Sequence, residues 1–275
     1  MKYIGIQGYR GAGKETWSFL LGSILDYLIQ SEGDKCDLDI EEIGKIYDDA
    51  VEAIYCNPQF LQDSEFNHVY VASFSDTSKT LLHLMTNIPM EYMYDSEYKS
   101  NTYINLKTFE YVEGVTDPSE LNIISAQSLW DKKLRDIHSI NNPYNPSPLE
   151  DEWMQLKEFL MYYGHFVMKN FLGKNIWVKS LDSVEEEDEY FIQDNSYKIF
   201  NDVKFEGEVK YIKDRGGVIV YIDRPKNIKK DFIPIDKIQH PDYTIKIDTN
   251  KLEDLSSEAV KSQVIELALS IYTLN

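Results

Sequence analysis

The chain has 275 residues, 43% of them hydrophobic, enough to bury a sizeable core, and we expect one domain carrying insertions. Its net charge of −19 opposes attachment to phosphate backbones or anionic lipid and argues against a nucleic-acid polymer as partner. Cys36 and Cys56 are too few and too poorly spaced for a disulfide scaffold or a zinc site, and a reducing cytosol is the expected compartment. Met1-Lys2 leads straight into a short apolar segment with no signal-peptide pattern, and no run of about 18 apolar residues follows. The expectation is a soluble, cytoplasmic protein with no membrane partner.

Tyr3–Gln7 is short and apolar and is closed by Gly8, the pattern of a buried strand entering a turn. Trp17, Phe19, Leu20, Leu21, Ile24, Leu25 and Leu28 then recur at helical spacing until Ser31-Glu32-Gly33-Asp34 ends the run. His68–Phe74 predicts a second strand and Thr77–Met85 a helix. The polar, tyrosine-rich stretch from about 87 to 150 carries five prolines and is expected to be an irregular insertion with short helices. Glu152–Asn170 has apolar residues at three- and four-residue steps and predicts one long amphipathic helix. The acidic run Glu185–Glu189 predicts a solvated loop. Tyr197–Val203 predicts a strand ending in Asn201-Asp202, Glu206–Arg215 a helix closed by Gly216-Gly217, and Val218–Ile222 a further strand. Tyr243–Ile247 and Ser256–Tyr272 predict a last strand and a last helix, with Ser256 and Ser257 as cap candidates. Strands alternating with helices imply an α/β fold, a parallel sheet covered by helices on both faces.

The stretch Gly8-Tyr9-Arg10-Gly11-Ala12-Gly13-Lys14-Glu15-Thr16 sets two glycines with four residues between them, then lysine, between a strand and a helix. Glycines let the backbone curl into a nest of N–H groups, the helix N-terminus adds partial positive charge, and Lys14 can reach terminal phosphates. We therefore expect Gly8, Arg10, Gly11, Ala12, Gly13, Lys14, Glu15 and Thr16 to bind a nucleoside triphosphate, ATP, with Mg2+. Glu15 stands where a standard loop has Ser or Thr, and the hydroxyl comes one residue later at Thr16. Glu15 is either a favourable first-turn acid or a group that touches magnesium through water.

Beyond the loop, several segments resemble the deoxynucleoside monophosphate kinases of tailed bacteriophages. They are Phe74–Lys79, Ile88-Pro89 with Tyr94–Lys99, Lys157–His165 with Asn175–Val178, and Asn201–Glu208 followed by Arg215–Pro225. Together they cover somewhat less than half of the chain, and the last block is the most specific. The resemblance implies a P-loop kinase fold over residues 1–275, an acceptor-binding insertion at about 87–150 and a lid at about 225–240, where Arg224-Pro225-Lys226 and Lys229-Lys230 supply cations. It also implies transfer of the terminal phosphate of ATP to a (deoxy)nucleoside monophosphate, in the host cytoplasm if the chain is phage-encoded.

Site roles follow from that resemblance residue by residue. Lys14 would stabilise the transferring phosphate and Thr16, with Asp202 at its strand end, would hold magnesium. Asp202 has the alternative of a turn or helix-cap aspartate. Lys204 and Lys169 are candidates for the acceptor's phosphate or plain surface lysines, and Lys204 stands where the family commonly has arginine. Trp177 would wall the base pocket or sit in a core, and Asp95 and Lys99 fall in the acceptor-binding insertion or form a solvated pair. Arg224 completes the substrate set. Two alternatives stay open: a P-loop kinase for another small acceptor, and a nucleotide-binding phage protein with little catalytic activity. A homodimer is left open as well.

Overall fold

The computed structural model describes residues 1–9, 12–31, 39–56, 66–115, 118–126, 128–129, 131, 152–168, 173, 176–181, 196–224, 241–247 and 255–274. In chain order these form β1 (Lys2–Gly8), α1 (Lys14–Ser31), α2 (Ile40–Cys56), β2 (Val69–Ala72), α3 (Asp76–Thr86), α4 (Met90–Tyr94), α5 (Ser96–Asn101), β3 (Tyr103–Asn105), β4 (Tyr111–Val112) and β5 (Trp153–Gln155). Then follow α6 (Leu156–Met161) with a π-helical turn Tyr162–Met168, β6 (Tyr197–Phe200), α7 (Glu206–Asp214), β7 (Val218–Asp223), β8 (Tyr243–Lys246) and α8 (Glu258–Thr273). The chain divides into two compact units, one of residues 1–74 and 182–275, the other of residues 75–181.

The first unit is an α/β layer structure. Its five strands are all parallel in the order β2-β6-β1-β7-β8, with β1 in the middle. Side chains alternate across a strand, and β1 sends Ile4 and Ile6 into a core built with Leu20, Ile24 and Leu28 of α1, Tyr47 and Val51 of α2, and Val264 and Ala268 of α8. Tyr3 and Gly5 face the other way, toward α7: Tyr3 meets Tyr211 edge-on, and a Cβ on Gly5 would stand 2.5 Å from a methyl of Ile212. Helices therefore cover both faces of the sheet, as expected.

Local chemistry explains the joints. Asp26 in α1 accepts from the His68 amide at 2.6 Å and from Gln30 at 2.7 Å, tying the long helix to the start of β2. The α7–β7 turn needs its glycine pair, because Gly216 has φ +72° and a Cβ on Gly217 would lie 2.5 Å from the Tyr3 carbonyl. Of the two cap candidates at α8, Ser257 takes the role, accepting from the Val260 amide. Helix α2, which the sequence reading did not include, buries Ile43, Tyr47, Val51 and Ile54, and the Tyr47 hydroxyl donates to the Leu255 carbonyl at 2.7 Å.

The second unit has its own core of Leu82, Ile88, Met93, Ile104, Met154, Leu156 and Phe159. A three-stranded antiparallel sheet, β4-β3-β5, runs through the stretch expected to be irregular with short helices. The long helix predicted over Glu152–Asn170 starts late, because Trp153–Gln155 pairs with β3 instead: strand pairing, with Leu156 N donating to Thr102 O at 2.8 Å, overrides the helical spacing. What remains is α6 and the π-helical turn.

Candidate functional site

The carboxyl edge of the parallel sheet carries the candidate residues of the first unit. Register sets Gly5 beside Phe200 and Gly8 beside Ile222, so β1 and β7 end nearly level and β6 stops three residues earlier than β1. Gly8 closes β1, Asn201 and Asp202 follow β6, and Arg224 follows β7. Ligands of open parallel sheets bind at such an edge.

Gly8 is required by close approach, since a Cβ there would meet the Ala12 Cβ at 3.0 Å and the Ile222 carbonyl at 3.1 Å. The chain then folds back: the Ala12 amide donates to the Tyr9 carbonyl at 3.0 Å, and Gly13 takes a left-handed φ of +79°, which glycine alone adopts without strain. Helix α1 starts at Lys14, and the Trp17 indole N–H donates to the Ala12 carbonyl at 3.2 Å, fixing the helix start against the loop. The Lys14 ammonium turns back over the loop, donating to the carbonyls of Gly8 at 3.1 Å and Tyr9 at 3.2 Å. Glu15 is exposed in the first turn and Thr16 is half-buried beside it. A guanidinium nitrogen of Arg224 lies 3.6 Å from where a Cβ on Gly13 would stand, so Arg224 belongs to the loop's surroundings. Arg10, Gly11, Lys169 and the lid segment 225–240 lie outside the described residues.

Asp202 is occupied by structure. One carboxylate oxygen accepts from the Ser73 hydroxyl at 2.6 Å and the other from the Phe74 amide at 2.7 Å, so it fastens the end of β6 to the segment after β2. The Lys204 ammonium stands 3.6 Å from the same carboxylate and is over a third exposed, a geometry that contributes little by itself. Glu208 accepts from the amides of Lys204 and Phe205 at 2.7 and 3.0 Å, which sets the backbone at Lys204 as α7 begins. Ser73 was missed because nothing in the sequence marks it; its role comes only from strand pairing.

Tyr221 was also missed. Its ring meets Tyr9 edge-on at 6.4 Å between centroids, and burial, followed by a hydrogen bond with Tyr9, pushes its hydroxyl up to about 12.

In the second unit the candidates serve their own elements. Asp95 caps α5, accepting from the amides of Glu97 at 2.6 Å and Tyr98 at 3.0 Å. Trp177 is buried, its indole N–H donating to the Gly164 carbonyl at 3.2 Å. Lys99 is half-buried in the last turn of α5. A different trio stands out nearby: Asp76 accepts at one oxygen from Lys79 at 3.0 Å and from the Tyr94 hydroxyl at 2.9 Å, while the Lys79 ammonium sits 3.8 Å above the Tyr94 ring.

Among the described residues no group of three or more His, Cys, Asp or Glu side chains is placed to hold a metal ion. A magnesium carried on a triphosphate needs only one or two protein ligands, and the Asp202 carboxylate already accepts two hydrogen bonds. Among the described residues no helix is long and apolar enough to cross a membrane. No protein-family model matches this sequence, and no curated protein matches it.

Proposed function

We propose that the protein is a P-loop phosphotransferase that moves the terminal phosphate of ATP to a (deoxy)nucleoside monophosphate, giving a diphosphate. One observation carries the reading: a glycine turn with left-handed Gly13 joins β1 to an 18-residue helix at the carboxyl edge of a parallel sheet, and the first helical residue, Lys14, aims its ammonium back over the turn. The order β2-β6-β1-β7-β8 places that turn on the central strand, with sheet on both sides. The residues fit an anionic ligand, because a helix start leaves its first amides as unpaired donors and the Lys14 ammonium lies back over the loop that leads into it.

ATP with magnesium would supply the transferable phosphoryl group and part of its charge neutralisation. The chain's own residues do the remainder. Lys14 exchanges loop carbonyls for phosphate oxygens, and the α1 N-terminus adds its partial charge. Arg224, beside Gly13, adds a fixed cation on the donor side of the site. Thr16, in the first turn, would hold the metal through its hydroxyl, and Lys204 offers an exposed ammonium for an acceptor phosphate. Positioning and charge account for direct transfer, the bond to the ADP oxygen breaking as the bond to the acceptor's phosphate oxygen forms, without a covalent enzyme intermediate.

A second reading, nucleotide binding with little transfer, is favoured by the Asp202 carboxylate, which already takes two hydrogen bonds and faces Lys204. The test is coupled ADP release across the four deoxynucleoside monophosphates. The proposal predicts ADP release stimulated by at least one of them; binding of ATP without any acceptor-dependent release would leave the second reading in its place.

A further inference from the structure

The glycine loop is held from outside itself. Tyr9, its second residue, supplies the carbonyl that accepts from the Ala12 amide at 3.0 Å and from the Lys14 ammonium at 3.2 Å. The position of that one carbonyl therefore sets both the loop's turn and the resting place of its lysine. The Tyr9 side chain is half-buried against half-buried Tyr221, rings edge-on at 75° and 6.4 Å between centroids. Tyr221 sits within β7, a strand paired on both sides, by β1 and by β8, and stands opposite Gln7 in the register with β1. Its backbone cannot shift without breaking two ladders.

A loop with glycine at positions 8, 11 and 13 loses much conformational freedom on ordering. A side chain pinned to the sheet limits the conformations open to it before any ligand arrives. We propose that Tyr9 and Tyr221 form an aromatic clamp that presets the glycine loop for the phosphates of a nucleoside triphosphate, with Tyr9 a positioning residue acting through its backbone carbonyl. The inference rests on the reading of this loop as the ATP site. Ordinary packing makes a different prediction: loss of either ring would then lower stability and leave the affinity of the folded protein alone.

A double-mutant cycle on MgATP affinity, measured by titration calorimetry on the full chain with the thermal midpoint recorded for each variant, separates the two. Tyr9→Leu and Tyr221→Leu are each expected to weaken ATP by up to about tenfold, the worth of one aromatic pair, and the double variant by no more than either alone. Tyr9→Phe and Tyr221→Phe keep the ring contact and are expected to stay within about threefold of wild type. Additive losses, or Leu variants with unchanged affinity, overturn the clamp. Where a Leu variant does not fold, the corresponding Tyr9→Met or Tyr221→Met, which keeps bulk but not the ring, takes its place in the cycle: a shared loss supports the clamp, and additive or absent losses overturn it. A wild-type chain that binds no ATP overturns the reading of the loop and the clamp together, whereas ATP binding with unaffected variants overturns the clamp alone.

Discussion

The sheet edge of the first unit and the helical cap of α5 in the second both gather polar residues that read as binding groups, yet their polar atoms are spent differently. At the sheet edge, Gly8 ends β1, Gly13 and Lys14 open α1 and Arg224 follows β7, with the Lys14 ammonium over the Gly8 and Tyr9 carbonyls and a guanidinium nitrogen of Arg224 beside Gly13. In the second unit, Asp95 is consumed by two amides of its own helix and Trp177 by a buried contact with Gly164. A carboxylate spent on amides two or three residues away serves local structure, whereas an ammonium over loop carbonyls can exchange them for a ligand's oxygens. Asp202 lies between the two cases, reaching across 128 residues to the Phe74 amide but using its carboxylate to fasten strand ends.

The largest effect that could break this contrast is at Lys14. Lys14→Ala should lower acceptor-dependent ADP release by at least about a hundredfold, because the developing charge loses its nearest cation, with the thermal midpoint little changed. A variant keeping more than a tenth of the wild-type rate would remove the loop as a catalytic site. Trp177→Ala should act the other way round, costing about 3–5 kcal/mol of stability in urea titrations as a buried side chain leaves a cavity. A stable variant with selectively raised KM for the acceptor would instead return Trp177 to the binding site.

Asp202 gives the finer cut. Asp202→Ala should cost about 2–3 kcal/mol by stranding the Ser73 and Phe74 donors. Asp202→Asn keeps a carbonyl oxygen for one of them and should lose less. If Asp202 is the fastener that its bonds describe, the magnesium concentration for half-maximal rate stays put in Asp202→Asn; a strong rise would make it a metal-anchoring group.

Much of the first unit was legible because its signals are local. Strand β1, the glycine turn and α1 follow from apolar runs and punctuation, and the α7–β7 turn from Gly216-Gly217. Helix α2 was legible in principle, with Ile43, Tyr47, Ala50, Val51 and Ile54 at three- and four-residue steps. Strand β5 was not legible, since three residues pairing with β3 carry no period of their own and continue a helical pattern. The roles of Ser73, Tyr9 and Tyr221 depend on which strands lie side by side, and spacing along the chain does not encode that.

The central claim is that the backbone of the glycine loop and the start of α1 hold the phosphates of ATP, and amide hydrogen exchange reads that backbone directly. Exchange of the peptides spanning residues 8–17 should slow on addition of MgATP, and the slowing should be lost in Lys14→Ala, while peptides of α5 around Asp95 keep their wild-type rates. Unchanged exchange across residues 8–17 at a MgATP concentration that supports ADP release would contradict the account.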